Sequence, residues 1–202
     1  GLAAARTLSR AGADVLVLEG SDGIGGRVRT DEIDGFLLDR GFQILLTAYS
    51  ELERQIDLAD LDLRSFESGS RIRYDGGFHE LADPWRAPLK AVAGLRAPVG
   101  SIGDKLRVGS LRSDALRTPY LTAPDPDRTI LEELRARGFG ERFIDAFLRP
   151  FLSGVLLEDE LDTSARYLLF LFKCFSTGDA VLPARGMQRL PEAIAAGLED
   201  RI

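Results

Sequence analysis

Residues 15–30, which read VLVLEGSDGIGGRVRT, place an acid, a glycine-rich turn and two arginines directly after an apolar run. Glycines such as Gly25 and Gly26 let backbone amides approach a phosphate closely, and a guanidinium such as Arg27 adds paired, charge-assisted hydrogen bonds to the same anion. The block therefore predicts a pyrophosphate site. Considered alone, the same residues also fit a flexible turn followed by a solvated arginine.

The acid in this block, Glu19, ends a stretch that predicts a helix, a turn and a strand. Residues 2–9 are rich in helix formers, Gly12 supplies a stop, and residues 15–18 are uninterruptedly apolar. A strand that is apolar on both faces is typical of a parallel sheet covered by helices, which binds ligands at its carboxyl edge. Gly1 stands where the last glycine of a G-x-G-x-x-G turn would stand, and the acid follows at the spacing of about 20 residues expected of a ribose-binding carboxylate. By themselves, these two residues also fit a chance glycine and a solvated strand end.

The composition excludes several other kinds of chemistry. The 202-residue chain is 45% hydrophobic and has a formal net charge of −6, which disfavours a nucleic-acid partner because binding the phosphate backbone needs clustered cations. One histidine, His79, and one cysteine, Cys174, are too few for a zinc site, so we expect no metal. A Ser-His-Asp triad is also disfavoured, and an organic cofactor is the better candidate for any difficult electronic step.

The order of Glu19, the GIGGRVRT block and the later segment DGFLLDRGFQ resembles the FAD-dependent amine oxidase and phytoene desaturase superfamily, which includes protoporphyrinogen oxidases. The resemblance implies FAD as cofactor. It implies that Gly1 packs the start of the helix against the pyrophosphate and that Glu19 binds the adenosine ribose. It also implies that Gly25, Gly26 and Arg27 line the phosphates.

A second element of the resemblance is a D-x-G pattern at Asp39 and Gly41. It implies that Gly41, Phe42 and Gln43 pass close to the flavin ring, whereas Asp39 fixes the turn. The resemblance assigns no catalytic residue within this chain.

The expected fold class is α/β, with an FAD/NAD(P)-binding Rossmann-like domain that carries an inserted, mainly helical substrate domain and is truncated at both ends. The expected boundaries are 1–68 for the first part of the FAD-binding domain, 69–178 for the inserted domain and 179–202 for the return. Within the insert, Asp75-Gly76 predicts a hairpin turn, and the pairs Ser101/Asp104 and Thr129/Glu132 predict helix starts. Gly138 predicts a helix end, Pro150 a helix end or kink, and residues 116–129 a proline-rich loop.

These observations predict an FAD-dependent oxidoreductase that takes a hydride from a C–N or C–C bond of an amine or of an apolar, carotenoid- or porphyrinogen-like substrate. Two alternatives stay open: a non-enzymatic lipid or prenyl carrier similar to Rab GDP-dissociation inhibitors, and an NAD-binding Rossmann enzyme. The expected partner is a small-molecule substrate, and the residues indicate neither oligomeric state nor membrane association. The single cysteine favours a reducing, cytoplasmic location.

Overall fold

The computed structural model describes residues 1–119 and 127–202, and it divides the chain into two compact units. The first unit comprises Gly1–Phe66 and Thr177–Ile202, and the second comprises Glu67–Ser176. Of the predicted proline-rich loop, residues 120–126 lie outside the described residues. The division shows that the second unit is inserted between two segments of the first.

The first unit mixes helices with short strands, numbered in chain order. Its helices are α1 (Leu2–Arg10), α2 (Ser50–Gln55) and α9 (Arg189–Ala195). Its strands are β1 (Thr30–Ile33), β2 (Phe36–Asp39), β3 (Leu45–Leu46), β4 (Leu63–Ser65) and β7 (Ala180–Pro183), and two 3₁₀ turns cover Leu58–Leu61 and Glu199–Arg201.

The core of the first unit forms around a three-stranded sheet with β7 in the centre. Strand β7 pairs with β3 through Leu45 and Val181 and with β4 through Leu63 and Pro183, both antiparallel. The buried side chains of this core are those of Leu45, Leu52, Ile56, Leu61, Val181 and Met187. The strand and helix predicted near the end of the chain are present as β7 and α9, although the helix begins at Arg189 rather than at Pro191.

The predicted buried strand at residues 15–18 is wrong for the described residues. The segment has no regular strand structure, and Leu16 and Leu18 are 71% and 86% exposed. One backbone hydrogen bond, from the Val17 amide to the Arg201 carbonyl at 2.8 Å, joins it to the rest of the unit. An apolar run becomes a strand only where a neighbouring strand satisfies its backbone hydrogen-bonding groups. Within residues 1–119 and 127–202, the paired strands are all antiparallel, and none of them pairs with residues 15–18.

The second unit contains the β5–β6 hairpin followed by helices. The hairpin strands are β5 (Gly69–Tyr74) and β6 (Gly77–Ala82), and the helices are α3 (Pro88–Leu95), α4 (Ile102–Arg117), α5 (Ile130–Ala136), α6 (Glu141–Phe143), α7 (Arg149–Leu156) and α8 (Ala165–Thr177). Its core contains fully buried side chains from most of the helices, among them Leu111, Ile130, Leu134, Leu152, Leu168 and Leu171. Within the described residues, no helix combines the length and apolar character needed to cross a membrane.

Most of the local signals predicted in this unit are confirmed. Asp75 and Gly76 both have positive φ, at 49° and 75°, and form the two-residue turn of the hairpin. Ser101 and Thr129 cap α4 and α5 as complete capping boxes, and Gly138, with φ of 81°, follows the end of α5. Each of these features depends on residues within four positions of one another, which explains why sequence alone could identify them.

The prediction that Pro150 ends or kinks a helix is correct only in part. A wider π-helical turn covers Ile144–Leu148, and α7 then begins at Arg149 and continues through the proline to Leu156. The wider turn directly before the proline accommodates a residue that cannot donate a backbone hydrogen bond and whose ring would clash with a regular preceding turn. The helix therefore changes its geometry instead of ending.

Asp104 in the α4 capping box gives a prediction for stability against pH. Burial raises the pKa of this carboxyl. Hydrogen bonds from the Gly140 amide (2.8 Å) and from the hydroxyl and amide of Ser101 lower the pKa by more than burial raises it, so it lies below its usual value. The stabilisation is therefore present above about pH 4, the range of an unfolded aspartate, and is lost as the pH falls through the lowered native pKa. We expect urea unfolding between pH 5 and pH 2 to show a loss of stability that Asp104→Asn reduces. An unchanged pH profile in that variant would contradict this role.

Candidate functional site

The glycine turn at Gly25 and Gly26 is held in a conformation that only glycine adopts easily. Gly25 has φ of +111° and Gly26 has φ of +56°, and the Val28 amide donates to the Gly25 carbonyl at 2.8 Å to close the turn. A Cβ on Gly25 would lie 2.7 Å from the Val28 carbonyl oxygen and 2.9 Å from the ring of Pro191 in α9. Successive amides in such a turn form a concave surface suited to an anion.

The guanidinium that folds over this turn belongs to Arg29 and not to Arg27. A Cβ on Gly23 would lie 3.4 Å from Nη2 of Arg29, whose side chain is only 13% exposed and forms a 2.6 Å ion pair with Asp22. That hydrogen bond raises the pKa of Arg29 and lowers the pKa of Asp22. Sequence reasoning chose Arg27 because it directly follows the two glycines, and the fold of the side chain that selects Arg29 is not visible in the sequence.

Arg27 contributes its backbone to the site in this structure. Its side chain is exposed, and no ion pair or hydrogen bond joins it to the rest of residues 1–119 and 127–202. A Cβ on Gly41 would lie 2.5 Å from the Arg27 carbonyl oxygen, so the segment after β2 passes directly against the glycine block. The structure thus brings together two predicted elements, the GGR block and the D-x-G segment.

Glu19 is exposed and lies close to the same block. Its Oε1 accepts hydrogen bonds from the hydroxyl of Ser21 at 2.8 Å and from the amide of Ser21 at 2.9 Å. These bonds, with a smaller contribution from the charge of Arg29, lower the pKa of Glu19. The carboxylate is therefore ionised at neutral pH, and its further lone pairs can accept hydrogen bonds from a ligand.

Gly1 directly precedes α1, whose first turn carries no acidic residue. The first amides of a helix have no partner within the helix and favour an anion. Arg6 holds α1 to α9 by donating to the carbonyls of Ala193 and Ile194, each at 3.0 Å. Because α9 also carries Pro191 against Gly25, it lies in contact with both predicted phosphate-binding elements.

A set of hydrogen bonds that sequence reasoning did not identify connects the end of the glycine block to the loop before α9. The Thr30 hydroxyl and the Met187 amide both donate to Oδ1 of Asp39, at 2.5 and 3.0 Å, and the Gln188 amide donates to the Thr30 hydroxyl at 2.9 Å. These bonds join the β1–β2 hairpin to the loop before α9. Asp39 thus has the turn-fixing position predicted for it, whereas Thr30 and Gln188 were missed because their contact spans most of the chain.

Phe42 and Gln43 are exposed in the short segment between Gly41 and β3. Phe42 is 49% exposed, and the neighbouring Ile44 is 54% exposed. An apolar ring and an amide at the surface next to the glycine block are compatible with contact to a planar cofactor. Their role beside a flavin stays a prediction.

The predicted residues supply the kinds of group that a dinucleotide needs. They are the start of α1 after Gly1, an ionised carboxylate at Glu19 and close-packed glycines at positions 25 and 41. Backbone amides and guanidiniums suit a diphosphate, and a carboxylate suits ribose hydroxyls. The donor set is thus appropriate for FAD.

Solved structures of putrescine oxidase share the fold of this chain. The wild-type enzyme bound to putrescine has a TM-score of 0.64 at 22% sequence identity over 99% of this chain. A triple mutant of putrescine oxidase, studied for redesigned cofactor binding, has a TM-score of 0.63 at 21% identity. The chain spans about half the length of these proteins, since 47% of each is covered. At this level of identity, the likeness shows the fold of an FAD amine oxidase with mixed helices and strands.

No curated protein matches the sequence. The family model described as flavin containing amine oxidoreductase, in contrast, matches residues 1–202. Because this match covers the entire chain, the chain belongs to the flavin-containing amine oxidoreductase family, as its motifs predicted, and FAD is the cofactor that this membership implies.

Proposed function

We propose that the protein is an FAD-dependent oxidoreductase that takes a hydride from a C–N or C–C bond of a small-molecule substrate. The observation that carries the proposal is the glycine turn at Gly25 and Gly26: both have positive φ, and a side chain on Gly25 would clash with the Val28 carbonyl and with Pro191. Such a turn exposes backbone amides to a phosphate. When bound, FAD supplies the electron acceptor that the side chains of this chain lack. The residues of the chain then bind, orient and shield the reacting groups.

Each part of the cofactor has residues suited to hold it. Gly1 and the first turn of α1 would bind the pyrophosphate together with Gly25, Gly26 and Arg27, and Glu19 would bind the ribose. We add Arg29 to this set because its guanidinium packs on the glycine turn. It is fixed by Asp22, so it would hold positive charge beside the phosphates with little loss of side-chain freedom.

The residues after β2 would lie nearest the reactive ring. Gly41 packs on the Arg27 backbone, so Phe42 and Gln43 are positioned by the same contact that positions the glycine block. A phenylalanine side chain there would exclude water from one side of the ring, and the Gln43 amide could hydrogen bond to its polar edge.

At the level of domains, we propose that the first unit is the Rossmann-like FAD-binding part and that the second unit binds substrate. The unit boundaries at residues 66 and 176 lie close to the proposed boundaries at 68 and 178. The family description favours an amine as the first substrate class to test, since its name refers to C–N chemistry. An apolar polyene or porphyrinogen is the second class. Neither the carrier nor the NAD enzyme is favoured by the family match.

The proposal is tested first by the colour of the intact protein. Purified protein, reconstituted with FAD if necessary, should absorb light at about 450 nm, which is a property of the isoalloxazine ring. Anaerobic addition of a diamine such as putrescine should bleach this band if the substrate is an amine, whereas bleaching by a polyene alone would assign the C–C class. A protein that stays colourless after reconstitution would favour the carrier instead.

Substitution of Glu19 tests the ribose contact directly. We expect Glu19→Ala to lose one or two charge-assisted hydrogen bonds, each contributing roughly 1.5 to 3 kcal/mol, and so to weaken FAD binding by about tenfold or more. Fluorescence titration of the apoprotein with FAD measures this change.

Glu53→Ala provides a matched control, because Glu53 is an exposed glutamate of α2 in the same unit. We expect its FAD affinity to equal that of the wild type. Equal affinities in both variants would remove Glu19 from the site.

A further inference from the structure

The C-terminal end of helix α9 is capped by an arginine from the other end of the chain. Arg6 of α1 donates through Nη1 to the carbonyls of Ala193 and Ile194 at 3.0 Å each, and to the carbonyl of Ala196 at 3.2 Å. The last carbonyls of a helix have no partner within the helix, and a cation beside them is favourable. The Arg6 guanidinium therefore acts as the C-terminal cap of α9 and joins that end of the helix to α1.

The start of α9 is joined to the glycine block. Gln188, which directly precedes the helix, donates through its amide to the Thr30 hydroxyl at 2.9 Å and through its side-chain nitrogen to the Ile24 carbonyl at 3.3 Å. Pro191 in the first turn of α9 packs against Gly25. Contacts from α9 thus reach the glycine block near both of its ends.

Helix α9 therefore connects the two elements that would bind the diphosphate of the cofactor. It contacts α1 through Arg6 and the glycine block through Gln188 and Pro191, and all of these residues lie within the first compact unit. We call α9 with these three contacts the α9 brace. Because a hydrogen-bonded helix is a stiff element, loss of the contact at one end changes the spacing between α1 and the glycine block.

We propose that Arg6 is a positioning residue for the diphosphate of FAD. By capping α9, it sets the distance between the start of α1 and the glycine block. The inference rests on the proposed function, which assigns both elements to the same diphosphate. A diphosphate that contacts both elements at once binds tightly only at the correct spacing, because a small displacement of either element costs hydrogen bonds. Adenosine carries no phosphate, so its affinity does not depend on this spacing.

Arg6→Met tests this role in the intact protein, because methionine keeps an apolar side chain and removes every donor. We expect FAD and inorganic pyrophosphate to bind about tenfold more weakly than to the wild type, and adenosine to bind equally well. Fluorescence titration of the apoprotein measures FAD binding, and displacement of FAD measures the other two ligands. Arg6→Lys keeps the charge and a donor, so it should recover part of the affinity.

Arg10→Met is the matched control on the same helix. Arg10 also donates to backbone carbonyls, those of Arg54 at 2.9 Å and Gln55 at 3.4 Å, so it holds α1 to α2 and not to α9. Both methionine variants lose hydrogen bonds of the same kind, and circular dichroism should show a lower melting temperature for both. Only Arg6→Met should lose affinity for FAD and pyrophosphate. Should the methionine variants fail to fold, the same comparison between Arg6→Lys and Arg10→Lys decides.

A double substitution tests whether the effect passes through α9. If Arg6 and Gln188 both act through the α9 brace, Arg6→Met combined with Gln188→Ala should weaken FAD binding by less than the product of the two single effects. Equal FAD and pyrophosphate affinities in Arg6→Met and Arg10→Met would overturn the proposal, as would an equal loss of adenosine affinity in Arg6→Met. If the wild type binds no FAD, the proposed function fails. Calorimetry with pyrophosphate alone then decides on Arg6, and absent or unchanged binding counts against it.

Discussion

Gly25→Ala is expected to destabilise the intact protein by about 3 to 5 kcal/mol and to prevent it from retaining flavin. Two effects combine. At φ of +111°, an alanine is strained, and its Cβ would lie 2.7 Å from the Val28 carbonyl oxygen and 2.9 Å from Pro191. The clash with Val28 is with backbone, which cannot move without opening the turn. Urea unfolding measures the loss of stability, and the ratio of absorbance at about 450 nm to that at about 280 nm measures the loss of flavin.

Gly26→Ala is the control that separates the two effects, because an alanine there has the strain of positive φ without the clash that it has at position 25. Gly26 has φ of +56°, and no heavy atom lies within 4 Å of its Cβ position. An alanine there should cost only about 1 to 2 kcal/mol, the penalty of the left-handed conformation. Equal losses of stability in the two variants would show that the close packing of Gly25 on α9 is unimportant.

Asp39→Ala is expected to destabilise the first unit by about 3 kcal/mol. It removes the acceptor of two hydrogen bonds, from the Thr30 hydroxyl and the Met187 amide, in a partly buried position. Hydrogen bonds to a charged group contribute roughly 1.5 to 3 kcal/mol each, and partial exposure reduces their sum. The loop before α9 would then lose its attachment to the β1–β2 hairpin. Denaturant unfolding, followed by circular dichroism, measures the change.

Asp39→Asn is the control for charge, because both bonds go to Oδ1 and an asparagine can present the same oxygen. We expect it to lose about 1 kcal/mol. If Asp39→Asn were as unstable as Asp39→Ala, the carboxylate charge rather than the two hydrogen bonds would hold the turn.

These two positions explain why the glycine block needs α9. Pro191 packs against Gly25, and the loop before α9 is hydrogen bonded to Asp39 and Thr30. The block lies near residue 25 and α9 near residue 190, so the second unit separates them in sequence. The candidate cofactor site is therefore assembled only when the chain returns from the second unit to the first.

The sequence by itself determined the features that depend on neighbouring residues. The capping boxes at Ser101 and Thr129 and the Asp75-Gly76 turn each arise from hydrogen bonds or φ preferences within four positions. The family could also be recognised, because its glycines and acid follow one another within a short block. The same kind of signal was available and unused at Asp34-Gly35, whose positive φ values form the turn between β1 and β2.

The tertiary structure decided which of the predicted groups meet. Arg29 rather than Arg27 covers the glycine turn, and Thr30 and Asp39 hold the loop before α9. Residues 15–18 form no strand, and Leu16 and Leu18 stay exposed. Neither the direction of a guanidinium nor the pairing of an apolar run follows from residue type, because both depend on partners far away in the chain. Local hydrogen bonds depend on adjacent residues and can be read from a short stretch of sequence. Packing depends on residues from distant parts of the chain, so it is decided only when the whole chain folds.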